Sequence, residues 1–526
     1  MSNLVHELIF QSANQSPNSD ALIYKELIKD YSTLSQDVQR IASNFIYLGL
    51  CRNERIGVYL EKRHETVISL FGTTAAGGVF VPINPILKSK QVSYILCDCN
   101  VKILITSAYR LNMLIDVLPQ CHDLHTVIIV DSIEIQPIIS GLNIISWNQI
   151  YSTSVSIKKP KILDSDIAAI LYTSGSTGKP KGVTLSHRNI VLGAKSVSQY
   201  LENNSNDRIL SILPLSFDYG LNQLTTAFYT GATCILYNHL FPQDIIKVIQ
   251  TENVSGLAAI PPLWIQLAQL NWPEITSLRY ITNSGGTIPQ ATLNILRDCL
   301  PKTKVFLMYG FTEAFRSTYL CPKEIDIRPN SIGKAIPNAE VFVLREDGTK
   351  CAPHEPGELV HKGDLVSMGY WNNPEETSIK FRPLPQQKTG LASQEIAVWS
   401  GDIVLSDNEG YLYFICRQDD MIKTSGYRVS PTEIEEVIYE TGLISEAVAI
   451  GVPHPILGQA IVVIVTALKN IGFNENILLS SCKVKLPTFM IPSHIILRKG
   501  ALPRNHNGKI DRQLLTKETQ KKILQK

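Results

Sequence analysis

Short, strongly apolar runs alternate along this chain with segments whose apolar residues recur every three or four positions. IGVYL (56–60), VKILIT (101–106), TVIIVD (126–131), AAILYT (168–173) and ATCILY (232–237) read as strands, and ETVISLFGTTAAGG between the first two reads as a helix. That alternation predicts α/β sheets with helices on their faces. Beyond about residue 330 the texture changes to short strands with turn signals, as in EVFVLREDGTK, GELVHKGD and GYLYFI, and a smaller, barrel-like β region is expected there. At Cys416 to Met421 the chain turns polar and charged, and a strand and helix pattern of about one hundred residues follows. Ser430-Pro431-Thr432-Glu433 predicts a helix start in that unit, with a cap residue, Pro at the first helical position and Glu three residues after the cap. A division into residues 1–418 and 419–526 is therefore expected, ending in a solvated basic helix, KETQKKILQK. No internal repeat or long low-complexity segment interrupts the pattern.

Composition narrows the classes of partner. The 526 residues are 44% hydrophobic and 18% charged, enough for large cores and several domain-sized units. A formal net charge of +2 gives no electrostatic reason to expect nucleic acid or an acidic membrane surface, so small-molecule chemistry fits better. The first residues, MSNLVHELIFQSANQ, lack a basic region followed by a long apolar one, and runs such as Ala460 to Leu468 are too short to span a bilayer, so a cytoplasmic, soluble protein is expected. Ten cysteines show no metal-like or redox spacing and are expected as reduced thiols.

The richest chemistry lies in LYTSGSTGKPKGV, Leu171 to Val183, directly after an apolar strand. Gly175 and Gly178 let backbone N–H groups approach an anion, and Thr173, Ser174, Ser176 and Thr177 add hydroxyl donors. Lys179 and Lys181 can neutralise phosphate oxygens, so the loop is expected to close over a polyphosphate. It is not the P-loop of ordinary NTPases, because Pro180 stands where that motif needs Ser or Thr after Gly-Lys.

This string closely resembles the signature loop of the adenylate-forming superfamily, which includes acyl-CoA synthetases, luciferases and amino-acid adenylation domains. Five further segments resemble that family's motifs. Tyr309-Gly310-Phe311-Thr312-Glu313 follows the strand KVFLM and resembles the second signature, in which Thr312 would contact phosphate and Glu313 would hold Mg²⁺. One carboxylate is chemically sufficient, since Mg²⁺ on a triphosphate takes only one or two from protein. Ser284-Gly285-Gly286, after the strand LRYIT, would form the adenine and acyl-adenylate pocket with Tyr309. Asp402 would accept from the ribose hydroxyls, although Trp399 and Ser400 replace the usual Arg and Thr of that motif. Within CRQDDMIKTSGYRVSPTEIEE, Arg417 would reach ribose and phosphate and Asp419 would be the hinge, with Cys416 replacing the usual Gly. Lys509, in PRNHNGKI, would bring its charge between a substrate carboxylate and the α-phosphate. The resemblance implies an α/β fold with a large N-terminal domain, of two α/β subdomains plus a distorted β-barrel, and a small mobile α+β C-terminal domain. It also implies ATP and Mg²⁺, an acyl-adenylate with pyrophosphate release, and transfer to a pantetheine thiol.

Which acid is activated turns on LPLSFDYGLNQL, Leu213 to Leu224. Fatty-acyl and aryl ligases usually carry a His where Phe217 stands, whereas Phe217-Asp218 is the form in amino-acid adenylation domains, where the Asp pairs with the α-ammonium group. The alternative is that Asp218 caps the helix beginning near Gly220. Alignment with those domains places Tyr219, Asn222, Ala259, Ile281, Asn283, Met308, Arg316 and Ser317 around the side-chain end; Tyr219 and Met308 narrow it, so a small substrate is implied. Arg316 can pair with Asp218 or point away. By resemblance to stand-alone L-proline:carrier-protein ligases, the expected substrate is a small amino acid, L-proline first, loaded onto a separate phosphopantetheinylated carrier protein in secondary-metabolite biosynthesis. The alternative is an AMP-forming acyl-CoA ligase for a small carboxylic acid.

Overall fold

The structure is a computed structural model describing residues 3–131, 139–158, 160–173, 180–385, 394–424, 427–454, 457–468, 472–486, 488–505 and 509–524. The apolar runs become strands close to where the sequence places them: Arg55–Tyr59, Val101–Thr106, Thr126–Ile129, Ile167–Thr173 and Thr233–Leu236. The first four belong to one sheet, in the order Asn143–Ser146, Thr126–Ile129, Val101–Thr106, Arg55–Tyr59, Val79–Pro82, Ile167–Thr173, Lys181–Ser186. Its pairs are parallel except the last, an antiparallel hairpin of Ile167–Thr173 with Lys181–Ser186.

A second sheet has parallel strands Lys304–Tyr309, Tyr280–Asn283, Gly256–Ala259, Arg208–Ser211, Thr233–Leu236 and Asp20–Tyr24 at its centre. Helices His64–Ala75 and Asp218–Thr230 meet between the two sheets, where the rings of Phe71 and Phe228 pack edge to face at 5.2 Å. A single buried apolar cluster contains Ile56, Phe80 and Ala168 of the first sheet together with Leu22, Ile209, Leu257 and Val305 of the second. The two α/β halves therefore share one core and behave as one packed unit.

The β-rich segment expected as a distorted barrel continues the second sheet. Thr318–Leu320 pairs antiparallel with Lys304–Tyr309, and the order then runs through Ser331–Ala335, Leu412–Arg417, Ile396–Ser406, Gly357–Lys362 and Glu340–Leu344. Among the described residues these strands form no closed ring.

The small C-terminal unit is built on the hairpin Ile444–His454 and Gly458–Ala467. Alternate residues face opposite ways. Ala447, Ala449, Ile461, Val463 and Val465 pack with helix residues Ile434, Ile438, Leu478 and Cys482, while Val448, Ile450, Val462 and Ile464 pack with Leu502 and Leu515. Burial on both faces explains why this run reads as continuously apolar. The helix Pro431–Tyr439 starts where the sequence places it, but Ser430 makes no cap; its hydroxyl donates instead to the carbonyl of Ile415 at 2.6 Å, tying the helix to the strand Leu412–Arg417. No helix among the described residues is long and apolar enough to cross a membrane.

Candidate active site

Parallel strands of the second sheet end together at Ala259, Asn283 and Tyr309, and the segments that follow carry the candidate chemistry. Such a C-terminal strand edge is the usual ligand crevice of open α/β sheets. Tyr309 donates its phenol to Asp402 Oδ2, and Arg417 lies opposite Asp402 in the adjacent strand, with Nη1 3.4 Å from Oδ1. The Asp402 side chain is only 7% exposed, and its Oδ1 has no hydrogen-bond partner among the described residues. Gly401 turns the chain with φ of +73°, and Asp402 N–H donates to Ser400 Oγ, so the hydroxyl that replaces the usual Thr holds the aspartate from behind. Trp399 is buried beneath the Arg382 guanidinium, 3.9 Å from the ring centroid.

The second signature forms a tight turn, Thr312–Ala314. Glu313 Oε1 accepts from the Tyr370 phenol at 2.6 Å. Lys181 lies over the same Tyr370 ring, 5.6 Å from its centroid, and pairs with Glu376 at 3.0 Å. Burial, reinforced by Asp402 for Tyr309 and by Glu313 for Tyr370, pushes both phenols well above their ordinary pKa, so both remain donors to their carboxylates. Tyr370 thus links the glutamate to the hairpin lysine, a role that Gly369-Tyr370-Trp371, an aromatic stretch like many core segments, does not advertise. Thr173 Oγ1 approaches the Lys181 carbonyl at 3.5 Å; Ser174, Gly175, Ser176, Thr177, Gly178 and Lys179 lie outside the described residues.

Asp218 opens the helix Asp218–Thr230, but Phe217 is the residue at the cap position and Asp218 does not act as one. Its carboxylate accepts from Thr312 Oγ1 at 3.1 Å and from Arg316 Nη1 at 2.5 Å, in a pair where Arg316 is 2% and Asp218 14% exposed. Of the two courses open to Arg316, pairing is the one adopted. Thr312, expected at phosphate, is directed to this aspartate. Gly220 is required next to it, since a Cβ there would sit 2.0 Å from the Pro214 carbonyl oxygen.

Tyr219 hydrogen-bonds Thr282 at 2.6 Å, and the cavity beside it is lined by Asn222, Gln223, Ala258, Thr282 and Met308. Because side chains alternate along a strand, Thr282 and Ala258 face Tyr219, while Ile281, Asn283 and Ala259 turn to the opposite face. Asn283 Nδ2 bonds the Gly286 carbonyl, at a turn where Gly285 has φ of +81° and Ser284 is buried. Ser317 also points away from the cavity, its hydroxyl 3.0 Å from His361 Nδ1. Phe217 lines a different groove, with Tyr172, Pro180 and Leu87, beside the phosphate-type hairpin. Gly310 lies against the backbone of Arg316.

Lys509 is exposed, its N–H held by Asn505 Oδ1 at 3.1 Å, and among the described residues no hydrogen bond or ion pair joins its ammonium group to Thr312, Glu313, Asp218 or Asp402. Asp419 lies in the turn Gln418–Asp420 between the strands Leu412–Arg417 and Ile422–Thr424.

The profile of a family described as AMP-binding enzyme matches residues 9–371, and that of the AMP-binding enzyme C-terminal domain matches residues 433–509. The chain is 27% identical over 98% of its length to a long-chain-fatty-acid–CoA ligase of Bacillus subtilis (strain 168), covering 95% of that protein. It is also 27% identical over 97% of its length to bacitracin synthase 3 of Bacillus licheniformis, of which it spans only 8%. In structure it is similar to an anthranilate CoA ligase in complex with anthranoyl-AMP (TM-score 0.88, 22% identity, 99% of this chain and 98% of that one). An o-succinylbenzoate CoA synthetase from Bacillus subtilis, in complex with its acyl-adenylate, gives a TM-score of 0.83 at 25% identity, with 97% of each chain covered. With a family profile spanning well over half its length, the chain belongs to the AMP-binding enzymes, and its large N-terminal and small C-terminal domains are the fold of an adenylate-forming ligase.

Proposed function

We propose that this enzyme activates a small acid with ATP, releasing pyrophosphate, and passes the acyl group from the resulting adenylate to a pantetheine thiol. The observation that carries the reading is Asp402. A buried carboxylate with one oxygen that makes no hydrogen bond among the described residues, ion-paired with Arg417 and held by Tyr309, suits a vicinal diol such as the ribose of ATP. Ser284, Gly285, Gly286, Tyr309 and Gly310 would receive adenine. Residues Thr173 to Lys181 would wrap the phosphates. Glu313 fits Mg²⁺ chemically: it is a single hard oxygen donor, half engaged by Tyr370, that would share the ion with phosphate oxygens.

In the first step the substrate carboxylate attacks the α-phosphorus and pyrophosphate leaves, so the protein's work is positioning and charge neutralisation. Lys509 would neutralise both anions as they meet, reaching them by rotation of residues 419–526 against 1–418 about Asp419. In the second step the thiol sulfur attacks the acyl carbon and AMP leaves.

For the acid, Phe217-Asp218 supports a small amino acid, L-proline first, with a carrier protein as acceptor. The Asp218–Arg316 pair favours the second reading, a small carboxylic acid without an amine, with CoA as acceptor, because a substrate ammonium would have to compete with a buried guanidinium for the same carboxylate. Acid-dependent ATP–pyrophosphate exchange across amino acids and simple carboxylic acids tests both. Failure of every acid to support exchange would overturn the ligase reading.

A further inference from the structure

The guanidinium of Arg316 is only half used. Nη1 donates to Asp218 and to the Phe315 carbonyl at 2.9 Å, but Nε and Nη2, the edge that presents two parallel N–H groups, are buried with no partner among the described residues. Leaving such donors unmet is costly, and in native structures each case calls for a ligand or water. The side chain is also held at the expense of the backbone. Phe315 has φ of +59° and ψ of −53°, and the Arg316 N–H bonds back to the Ala314 carbonyl at 2.6 Å, a three-residue turn of the rare, strained kind. The Phe315 ring is locked against Gly193, where a Cβ would fall 2.3 Å from a ring carbon. Backbone strain stabilised elsewhere, to point a buried cation with a free edge, is what a recognition residue looks like.

Position and charge say what it recognises. The guanidinium stacks on Tyr219, 4.5 Å from the ring centroid, and Tyr219 lines the candidate acid pocket. It shares Asp218 with Thr312, the residue before Glu313, so it lies between Tyr219 and the second signature. Asp218 and Arg316 already cancel in charge. A substrate ammonium would leave a buried excess of positive charge, and a second carboxylate would leave a negative one, whereas a neutral oxygen meets the free N–H groups and leaves the balance intact.

We infer that Arg316 is a specificity-determining residue that accepts an acid bearing a hydroxyl or oxo oxygen beside its carboxylate, a 2-hydroxy or 2-oxo acid. The inference rests on the ligase reading and narrows its substrate.

The test is acid-dependent ATP–pyrophosphate exchange with matched acids: propionate, lactate and pyruvate; isovalerate with its 2-hydroxy and 2-oxo forms; and alanine, proline and malonate as charged controls. The oxygenated members should exceed their parents by at least about tenfold in kcat/KM. Arg316→Lys, which keeps a cation for Asp218 but loses the paired N–H edge, should cut that ratio by about tenfold. Arg316→Met, combined with Asp218→Asn so that no charge is stranded, should abolish the ratio. AMP titration and thermal melts confirm that both variants are folded. A preference for alanine, proline or malonate, or an oxygen preference that survives both substitutions, overturns the inference while leaving the ligase reading intact. Silence with every acid overturns the ligase reading itself.

Discussion

At the scale of single residues, Asp402 is a buried carboxylate whose two oxygens are met differently. Tyr309 satisfies Oδ2, and Oδ1 is left beside Arg417. If that oxygen receives ribose, Asp402→Asn should weaken AMP binding by about 10- to 100-fold, the range of a charge-assisted hydrogen bond, as read by calorimetric titration. Glu313→Gln should raise the Mg²⁺ concentration needed for half-maximal pyrophosphate exchange while leaving AMP affinity within about threefold. The sequence displays Asp402, Glu313 and Arg417 because motifs fix their spacing. It hides Tyr370 and Thr282. Tyr370 comes to Glu313 from 57 residues away, and Thr282 comes to Tyr219 from 63.

At the scale of elements, strand and helix positions are legible because long apolar runs in parallel sheets leave little choice of burial. What joins them is less so. Ser430 illustrates the difference: its place before Pro431 marks the helix start correctly, yet its hydroxyl serves the neighbouring strand, an option no local pattern encodes. Ser430→Ala should cost about 0.5–1.5 kcal/mol in denaturant unfolding of the C-terminal unit. The turn at Phe315 is a second junction set by packing. Gly193→Ala on the helix His187–Leu201 would push into the Phe315 ring and should cost about 1–3 kcal/mol. Since the same ring fixes Arg316, KM for the acid should rise more than KM for ATP. The β-rich segment was legible as strands but not as a continuation of the second sheet, because pairing partners such as Lys304–Tyr309 and Thr318–Leu320 are set by tertiary contact.

At the scale of the whole molecule, two buried imidazoles tie stability to pH. Burial lowers His187 to about 4 and His361 to about 3, and His187 Nδ1 accepts from the Val5 N–H, which a protonated ring could not do. The unfolded chain binds these protons near pH 6.5 and the native chain does not, so their contribution is complete above about 6.5 and is lost as pH falls toward the native values. Each should add a slope of about 1.4 kcal/mol per pH unit in that window. His361→Gln should remove one such increment between pH 6 and 5 in denaturant titrations. Ligand chemistry also depends on whole-molecule arrangement, since Lys509 makes no described contact with the crevice. Lys509→Ala should collapse adenylate formation while thiol transfer from a supplied adenylate survives; equal loss of both would contradict a domain rotation.

The central claim, that the crevice around Asp402 and Glu313 joins an acid to AMP, is tested most directly by incubating the enzyme with Mg²⁺, radiolabelled pyrophosphate and ATP, with and without each acid of the panel. The account predicts label entering ATP only when an acid is present, AMP as the nucleotide product once a thiol is added, and loss of exchange in Asp402→Asn. Acid-independent label exchange, or ADP and phosphate as products, would contradict it.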